Sequence, residues 1–170
     1  MILLTYSFLL LGYFLLFIFA LYTAYAMWKG APFVPTSHDH VAGMMAMAGL
    51  TKDDVVMDVG SGDGRIVFAA GKECQRAIGI EINPLLFWVS RLNAWRKGIR
   101  NVAFRRQNLW DADFSEATVL TLFFIAPKMN RMEQKIQKEM KPGSRIVSYG
   151  FRFPNWQYTK KDDTIYLYVV

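Results

Sequence analysis

The spacing of apolar residues predicts a chain in which strands and helices alternate after an uncharged N-terminal segment. Short apolar runs at residues 55–59, 77–81, 102–106, 119–125 and 145–149 predict five strands, and residues 164–169 predict a last one. The run at 119–125 is almost wholly apolar, which is typical of a strand buried on both faces of a parallel sheet.

Between these strands, apolar residues recur at helical spacing. Helices are predicted from Thr36 or Ser37 to Gly49, over residues 65–71, from Asn83 or Pro84 onward, and around Met129, Met132, Ile136 and Met140. In the helix after Asn83, the apolar residues fall on one face: Leu85, Val89, Leu92 and Trp95. The alternation implies an α/β, Rossmann-like sheet with helices on both faces. Too few residues follow Tyr149 for a helix and a full two-strand hairpin, which predicts a shortened C-terminal edge.

The N-terminal segment predicts a membrane anchor. Residues 1–28 contain no charged residue and no histidine. As a helix, residues 2–27 would be roughly 39 Å long, whereas a hydrocarbon core is about 30 Å thick. We therefore expect one transmembrane helix over residues 1–29, followed by a single domain over residues 30–170. A cleaved signal peptide would lack its usual basic start, and a buried core helix is the third interpretation.

The first charged residue, Lys29, follows the segment, which predicts a single-pass membrane protein with its domain in the cytoplasm. The single cysteine, Cys74, cannot form an internal disulfide and gives no sign of an oxidising compartment.

Basic residues are concentrated in one acid-free stretch of a chain with a net charge of +6. This stretch contains Arg91, Arg96, Lys97, Arg100, Arg105 and Arg106. It suits anionic lipid headgroups, an acidic partner or nucleic acid, or it is a solvated helix face that runs into a loop. Aromatic and basic residues do not interleave there as they do in a single-strand binding platform, so a nucleic-acid partner is not expected.

A glycine-rich loop, G-S-G-D-G-R at residues 60–65, follows the first strand of the sheet. Ligands of open α/β sheets bind where such strands end. No Lys-Ser or Lys-Thr pair follows the glycines, which excludes a Walker loop. A dinucleotide fingerprint would have a third glycine where Arg65 stands. The alternative to a ligand-binding loop is a purely structural turn that tightens the junction between strand and helix.

Acidic residues around this loop indicate the ligand. Asp58 ends the first strand and Asp63 lies within the turn, where carboxylates would repel a pyrophosphate but suit an ammonium and a sulfonium. Glu81, at the end of the second strand, is placed to accept hydrogen bonds from two ribose hydroxyls. A ligand with ribose, adenine and an amino-acid end but no phosphate is S-adenosylmethionine.

Further motifs extend this interpretation over most of the chain. They are P-F-V-P-T at 32–36, D-V-G-S-G-D-G-R-I-V at 58–67, G-I-E-I-N-P at 79–84, N-L-W at 108–110, I-A-P at 125–127 and F-R-F-P-N-W at 151–156. With these motifs, residues 35–156 resemble a family of small class I methyltransferases. Its eukaryotic members are mitochondrial lysine methyltransferases that act on the c subunit of ATP synthase and on the adenine nucleotide translocase. Members of that family also carry an N-terminal hydrophobic segment.

The resemblance implies a cofactor site and an acceptor side. Asp58, Gly60, Gly62 and Glu81 match the family's cofactor-binding positions. The predicted cofactor site also includes Ser61, Asp63, Asn83, Asn108 and Leu109. Asn108 stands where many relatives have an aspartate that contacts the adenine amine, and an amide oxygen can also accept that hydrogen bond. The acceptor-site candidates are Trp110, Pro127, Tyr149, Phe151 and Trp156. No D/N-P-P-Y motif follows the fourth strand, which argues against nucleic-acid amines and glutamine amides as acceptors.

The expected activity is transfer of a methyl group to a lysine of a membrane protein. A lysine arrives protonated, and aromatic residues such as Phe153 would lower its pKa by desolvation. Tyr149 and Asp111 are weak candidates for a general base. Methylation of a lipid-like or quinone-like molecule and a catalytically idle adaptor are the alternatives. His38 and His40 supply too few ligands for a metal site, so no metal is expected.

Overall fold

The computed structural model describes residues 2–29 and 34–170, and within the first helix it describes the side chains of residues 5–21 and 24–25. The helices are α1 (Ile2–Lys29), α2 (His38–Ala48), α3 (Arg65–Ala70), α4 (Pro84–Lys97) and α5 (Ala126–Glu139). The strands are β1 (Val55–Val59), β2 (Arg76–Glu81), β3 (Val102–Arg106), β4 (Val119–Phe123), β5 (Arg145–Tyr149), β6 (Lys160–Asp162) and β7 (Ile165–Val169).

The seven strands form one sheet in the order β3-β2-β1-β4-β5-β7-β6. Strands β1 to β5 are parallel, whereas β7 pairs antiparallel with both β5 and β6. The register places Asp58 on β1 between Gly79 of β2 and Thr121 of β4. The carboxyl ends of the parallel strands therefore meet at one edge, where an open α/β sheet binds its ligand.

Two apolar clusters cover the two faces of the sheet. In one, Met44 and Met45 of α2 pack with Val67 of α3. In the other, Met129, Met132 and Ile136 of α5 pack with the residues of the 109–117 connection. The predicted α/β architecture with helices on both faces is confirmed.

Local signals explain where α2 and α4 begin and end. Ser37 and Asn83 each cap the helix that follows, accepting hydrogen bonds from backbone N–H groups of its first turn. Gly49 and Gly98 end the same helices in the left-handed conformation, which a residue without Cβ adopts at little cost.

The prediction of a single-pass membrane protein is wrong. Among the described residues, no helix is long and apolar enough to cross a membrane. The described side chains of α1 are mostly apolar and largely exposed.

The C-terminal edge is shortened, as predicted, but it differs in detail. The described chain from β5 to β6 contains no helix, and the hairpin of β6 and β7 completes the sheet. The sequence pattern did not predict β6, because its three residues, K-K-D, are charged and exposed.

The apolar face of α4 points away from the sheet. Phe87 and Ser90 are buried beneath the helix, whereas Leu85, Leu92 and Trp95, on the face that the sequence singled out, are exposed. The periodicity therefore identified the face correctly but did not show which way it points.

Candidate cofactor site

The loop between β1 and α3 forms the floor of the candidate site. Gly60, Gly62 and Gly64 have φ angles of 81°, 55° and 86°, which residues with a Cβ atom rarely adopt. The N–H groups of Gly60 and Ser61 both donate to the carbonyl oxygen of Ile80, at 2.9 and 3.0 Å. These bonds hold the loop against the end of β2.

Glu81 fixes the loop from the side of β2. Its Oε2 accepts a 2.8 Å hydrogen bond from the N–H of Gly62, and its Oε1 accepts a 2.7 Å bond from the N–H of Asn83. Burial raises the pKa of this carboxyl, while the two N–H groups oppose the rise. Each carboxylate oxygen has a second lone pair, so Glu81 can still accept hydrogen bonds from a diol in the cavity.

Asp58 is a buried acid at the carboxyl end of β1. Its Oδ1 accepts a 2.7 Å hydrogen bond from the hydroxyl of Thr121. Burial raises the pKa of Asp58 to about 7, and the negative charges of Glu81 and Asp63 add to the rise, although the Thr121 bond opposes it. A cationic group placed beside Asp58 would offset this cost and favour the ionised carboxylate.

Asp63 has different surroundings, because Arg65 neutralises it. The guanidinium of Arg65 bonds both carboxylate oxygens, with the closest contact at 2.7 Å, and this hydrogen bonding lowers the pKa of Asp63. The same guanidinium donates a 2.5 Å hydrogen bond to the carbonyl oxygen of Thr36, just before α2. The pair therefore ties the glycine loop to the segment that precedes α2.

A cavity of about 460 Å³ lies over this loop. All nine predicted cofactor residues line it: Asp58, Gly60, Ser61, Gly62, Asp63, Glu81, Asn83, Asn108 and Leu109. Its volume is within the range of about 300 to 1,000 Å³ that small-molecule sites have. Ile82, Leu86 and Leu109 give it an apolar wall, while Asp58 and Glu81 bring buried carboxyls.

The side chains of Asn108 and Ser61, two of these nine residues, have surroundings within the protein that bear on their predicted role. The Oδ1 of Asn108 accepts a 3.2 Å hydrogen bond from the N–H of Trp110. The buried hydroxyl of Ser61 has no hydrogen-bond partner within the described chain, and it lies 2.6 Å from the position that a Cβ on Gly79 would occupy. The Ser61 hydroxyl therefore points toward β2.

Several lining residues were not predicted. They are Phe19, Val34, Pro35, Thr36, Val59, Arg65, Ile66, Ile80, Ile82, Leu86, Gln107, Phe123, Phe124 and Ile125. Phe123 ends β4, and Phe124 and Ile125 follow it, so the rule that ligands bind at the carboxyl ends of strands contained a signal for them. Phe19 lies in α1, and no local motif of that uncharged segment points to a cavity.

The acceptor-site candidates lie at different distances from the cavity. Phe151 lines the cavity, and it also lines an adjoining groove of about 610 Å³ together with Trp156. Trp110 packs against Phe124, with ring centroids 5.8 Å apart. Tyr149 packs behind Phe123, a cavity residue, with ring centroids 4.7 Å apart. Pro127 lies in the first turn of α5 and lines neither space.

The polar residues considered for other roles lie elsewhere. His40 stacks on Tyr149, and its Nδ1 lies 2.6 Å from the Ser37 hydroxyl and 3.2 Å from the Tyr149 hydroxyl. Asp111 does not line the cavity. No group of three potential metal ligands occurs among the residues that the structure describes.

Comparison with solved structures identifies the fold as that of the class I methyltransferases. An RNA methyltransferase from Salinibacter ruber, solved with S-adenosyl-L-homocysteine, superimposes with a TM-score of 0.77 and 36% sequence identity, over 80% of this chain and 93% of that one. Residues 58–160 match the model of a protein family described as "ANTKMT methyltransferase domain". The chain belongs to this methyltransferase family.

Curated relatives carry names of lysine methyltransferases. The protein-lysine N-methyltransferase of Saccharolobus islandicus is 36% identical over 150 residues, which cover 82% of this chain and 93% of the relative. A Xenopus laevis lysine N-methyltransferase, named for the c-ring protein of ATP synthase, is 39% identical over 126 residues, which cover 74% of this chain and 55% of the relative. The chain spans about half the length of the vertebrate enzymes of that name that it matches.

Proposed function

We propose that this chain binds S-adenosylmethionine in the cavity over the glycine loop and transfers its methyl group to a lysine side chain of a protein. The observation that carries the proposal is the convergence of all nine predicted cofactor residues on one cavity that contains two buried carboxyls without an ion-pair partner among the described residues. The names of the curated relatives support lysine as the acceptor.

The cavity residues would each take one part of the cofactor. Glu81 would accept the ribose hydroxyls, Asp58 would face the ammonium group, and Leu109 would pack against the adenine. The backbone at Gly60, where the φ angle is positive and an added Cβ would meet nothing within 4 Å, would lie open to the ligand. Once bound, the cofactor supplies a methyl group on a sulfonium that is already activated for transfer.

The acceptor would enter beside Phe151, the residue that lines both the cavity and the adjoining groove. Aromatic rings there would desolvate the lysine ammonium, which lowers its pKa and favours loss of a proton. The neutral amine would then attack the methyl carbon in line with the bond to sulfur. The carbon–nitrogen bond would form as the carbon–sulfur bond breaks, so the methylated nitrogen would carry the positive charge and sulfur would leave as the neutral thioether of S-adenosyl-L-homocysteine. The proton lost before the attack would go to solvent.

We extend the proposal to an acceptor lysine in a membrane protein. Its support is the names of relatives, which specify the c-ring protein of ATP synthase and the adenine nucleotide translocase. RNA is the second candidate acceptor, because the Salinibacter ruber relative is described as an RNA methyltransferase at 36% identity. The absence of a D/N-P-P-Y motif after β4 favours the lysine over a nucleic-acid amine.

The test uses two reactions, each containing the purified protein and methyl-labelled S-adenosylmethionine. One reaction also contains membranes from the source organism, and the other contains its total RNA. We expect label in a protein band, with methyl-lysine identified by mass spectrometry, and no label when Glu81→Ala replaces the wild type. Label confined to RNA or to the lipid extract would contradict the proposed acceptor, and no label in any fraction would contradict the activity.

A further inference from the structure

Helix α4 presents a stripe of large apolar side chains to the outside of the protein. Leu85, Trp88, Leu92 and Trp95, here called the α4 stripe, are 56%, 60%, 52% and 79% exposed. Their spacing of three, four and three residues places them along one face of the helix, over roughly 15 Å. Val89, 38% exposed, widens the stripe.

The stripe is not a misplaced part of the core, because another face of α4 already packs on the sheet. Phe87 and Ser90 are buried on that face, and Ser90 donates a 2.9 Å hydrogen bond to the carbonyl oxygen of Phe87. A continuous exposed stripe with two tryptophans is unusual on a monomeric surface and marks an interaction site.

Basic side chains lie beside the stripe, and no acid balances them. Arg91, Arg96 and Arg100 lie in or just after α4, and residues 82–110 contain no Asp or Glu. None of these three forms a salt bridge within the described parts of the chain. The guanidinium of Arg91 lies 5.3 Å from the ring centroid of Trp88, so positive charge directly borders the stripe.

We propose that α4 docks on the surface of an anionic lipid bilayer, with the stripe among the upper acyl chains and the basic side chains among the headgroups. Helices that lie in a membrane interface combine an apolar face rich in Trp and Leu with Lys and Arg beside it. The indole ring favours the headgroup layer. A second copy of the chain fits less well, because a two-fold contact between two α4 helices would bring their arginines together.

Docking through α4 would bring the bilayer surface next to the cofactor cavity. Asn83, the N-cap of α4, and Leu86, in its first turn, both line that cavity. This peripheral contact by a surface helix does not depend on whether the methyl acceptor is protein or RNA.

A site-specific fluorophore tests the proposal without relying on activity. The only native cysteine, Cys74, is 3% exposed, so an environment-sensitive fluorophore can be attached to Leu92→Cys in the full chain. Gln137→Cys, at an exposed position of α5, is the matched control. Vesicles of phosphatidylcholine, with or without phosphatidylglycerol, are then added to each labelled protein.

We expect the label at position 92, but not that at 137, to shift to a blue emission and become shielded from an aqueous quencher when phosphatidylglycerol is present. Replacing Arg96 or Arg100 with Gln should weaken vesicle binding measured by this label about fivefold per charge, and salt should weaken it further. An unchanged label at 92 on vesicles that retain the protein would overturn the proposal. So would an equal response to vesicles of phosphatidylcholine alone, or shielding that appears without vesicles as protein concentration rises.

Discussion

Three carboxylates border the cofactor cavity, and their surroundings differ at the level of single atoms. Asp63 is held by the guanidinium of Arg65, Glu81 is held by two backbone N–H groups, and Asp58 is held by the Thr121 hydroxyl alone. Asp58 is therefore the carboxylate whose charge is least compensated before a cationic ligand binds.

This difference predicts that cofactor affinity depends on pH through Asp58. The pKa of Asp58 is about 7, so the carboxyl is largely neutral below that pH and loses its attraction for an ammonium group. We expect the affinity for S-adenosylmethionine to fall about tenfold between roughly pH 8 and pH 6. Isothermal calorimetry at each pH measures it.

Asp58→Asn is the matched control, because it keeps the size of the side chain and removes its titration. The variant should bind more weakly at pH 8 and should show a flatter dependence on pH, any remaining slope belonging to the ligand. If wild type and variant show the same slope, Asp58 does not control the binding.

The predicted role of Glu81 gives a second test based on the affinity for S-adenosylmethionine. Glu81→Gln should weaken S-adenosylmethionine binding about 10- to 100-fold, because charged acceptors make hydrogen bonds worth about 1.5 to 3 kcal/mol. Glu73→Gln changes an exposed glutamate away from the cavity and should leave the affinity unchanged. Calorimetry of both variants at one pH compares them, and equal affinities would remove Glu81 from the site.

The sequence could identify these acids but not their individual partners. The sequence predicts that Asp58 and Glu81 lie close together, because they lie at the carboxyl ends of neighbouring parallel strands. The contact of Arg65 with the carbonyl of Thr36 joins residues 29 positions apart, and its pairing with Asp63, two positions away, depends on side-chain geometry that the sequence does not specify. From the sequence, Asp58 and Asp63 were therefore expected to act alike.

A buried charge network links the starts of several elements at the opposite end of the sheet. Asp54, 5% exposed, accepts hydrogen bonds from Arg145 at the start of β5, from Thr118 just before β4 and from Thr51. Arg145 also bonds the carbonyl oxygens of Ala48 and Gly49 at the end of α2. The network holds α2, β1, β4 and β5 in register.

This network predicts a stability that acid removes. Although burial opposes ionisation, the hydrogen bonds from Arg145, Thr118 and Thr51 lower the pKa of Asp54 from 3.8 to about 2. The stabilisation is therefore complete above about pH 4 and is lost as the pH falls toward 2. Asp54→Asn should lower the free energy of unfolding by about 2 kcal/mol at neutral pH, measured by urea denaturation.

Asp53→Asn, at the adjacent exposed aspartate, is the control and should change the unfolding free energy little. Equal destabilisation by the two substitutions would show that Asp54 stabilises through general charge rather than through its hydrogen bonds.

At the scale of elements, periodicity predicts helices well but not their orientation. The buried side of α5 follows its Met and Ile positions, because its other face carries charges. In α4 both faces are apolar enough to be buried, and the outward position of the α4 stripe depends on which face fits against β2 and β3. That choice is made by packing and not by hydrophobic spacing.

For the molecule as a whole, the order of strands and helices was sufficient to predict the α/β sheet and the edge at which the cavity lies. It was not sufficient for the N-terminal segment. Residues 1–29 were predicted to be a transmembrane anchor from their length and their lack of charge, whereas Phe19 of α1 lines the cofactor cavity. Composition reports how apolar a segment is, but it does not report what the segment contacts.

The central claim is that the cavity over the glycine loop holds the cofactor. A crystal structure of the protein with S-adenosyl-L-homocysteine tests it most directly. We predict the ribose hydroxyls within hydrogen-bond distance of Glu81, the ammonium group facing Asp58 and the adenine against Leu109. A ligand bound elsewhere, or bound in this cavity without contact to Glu81 and Asp58, would contradict the account.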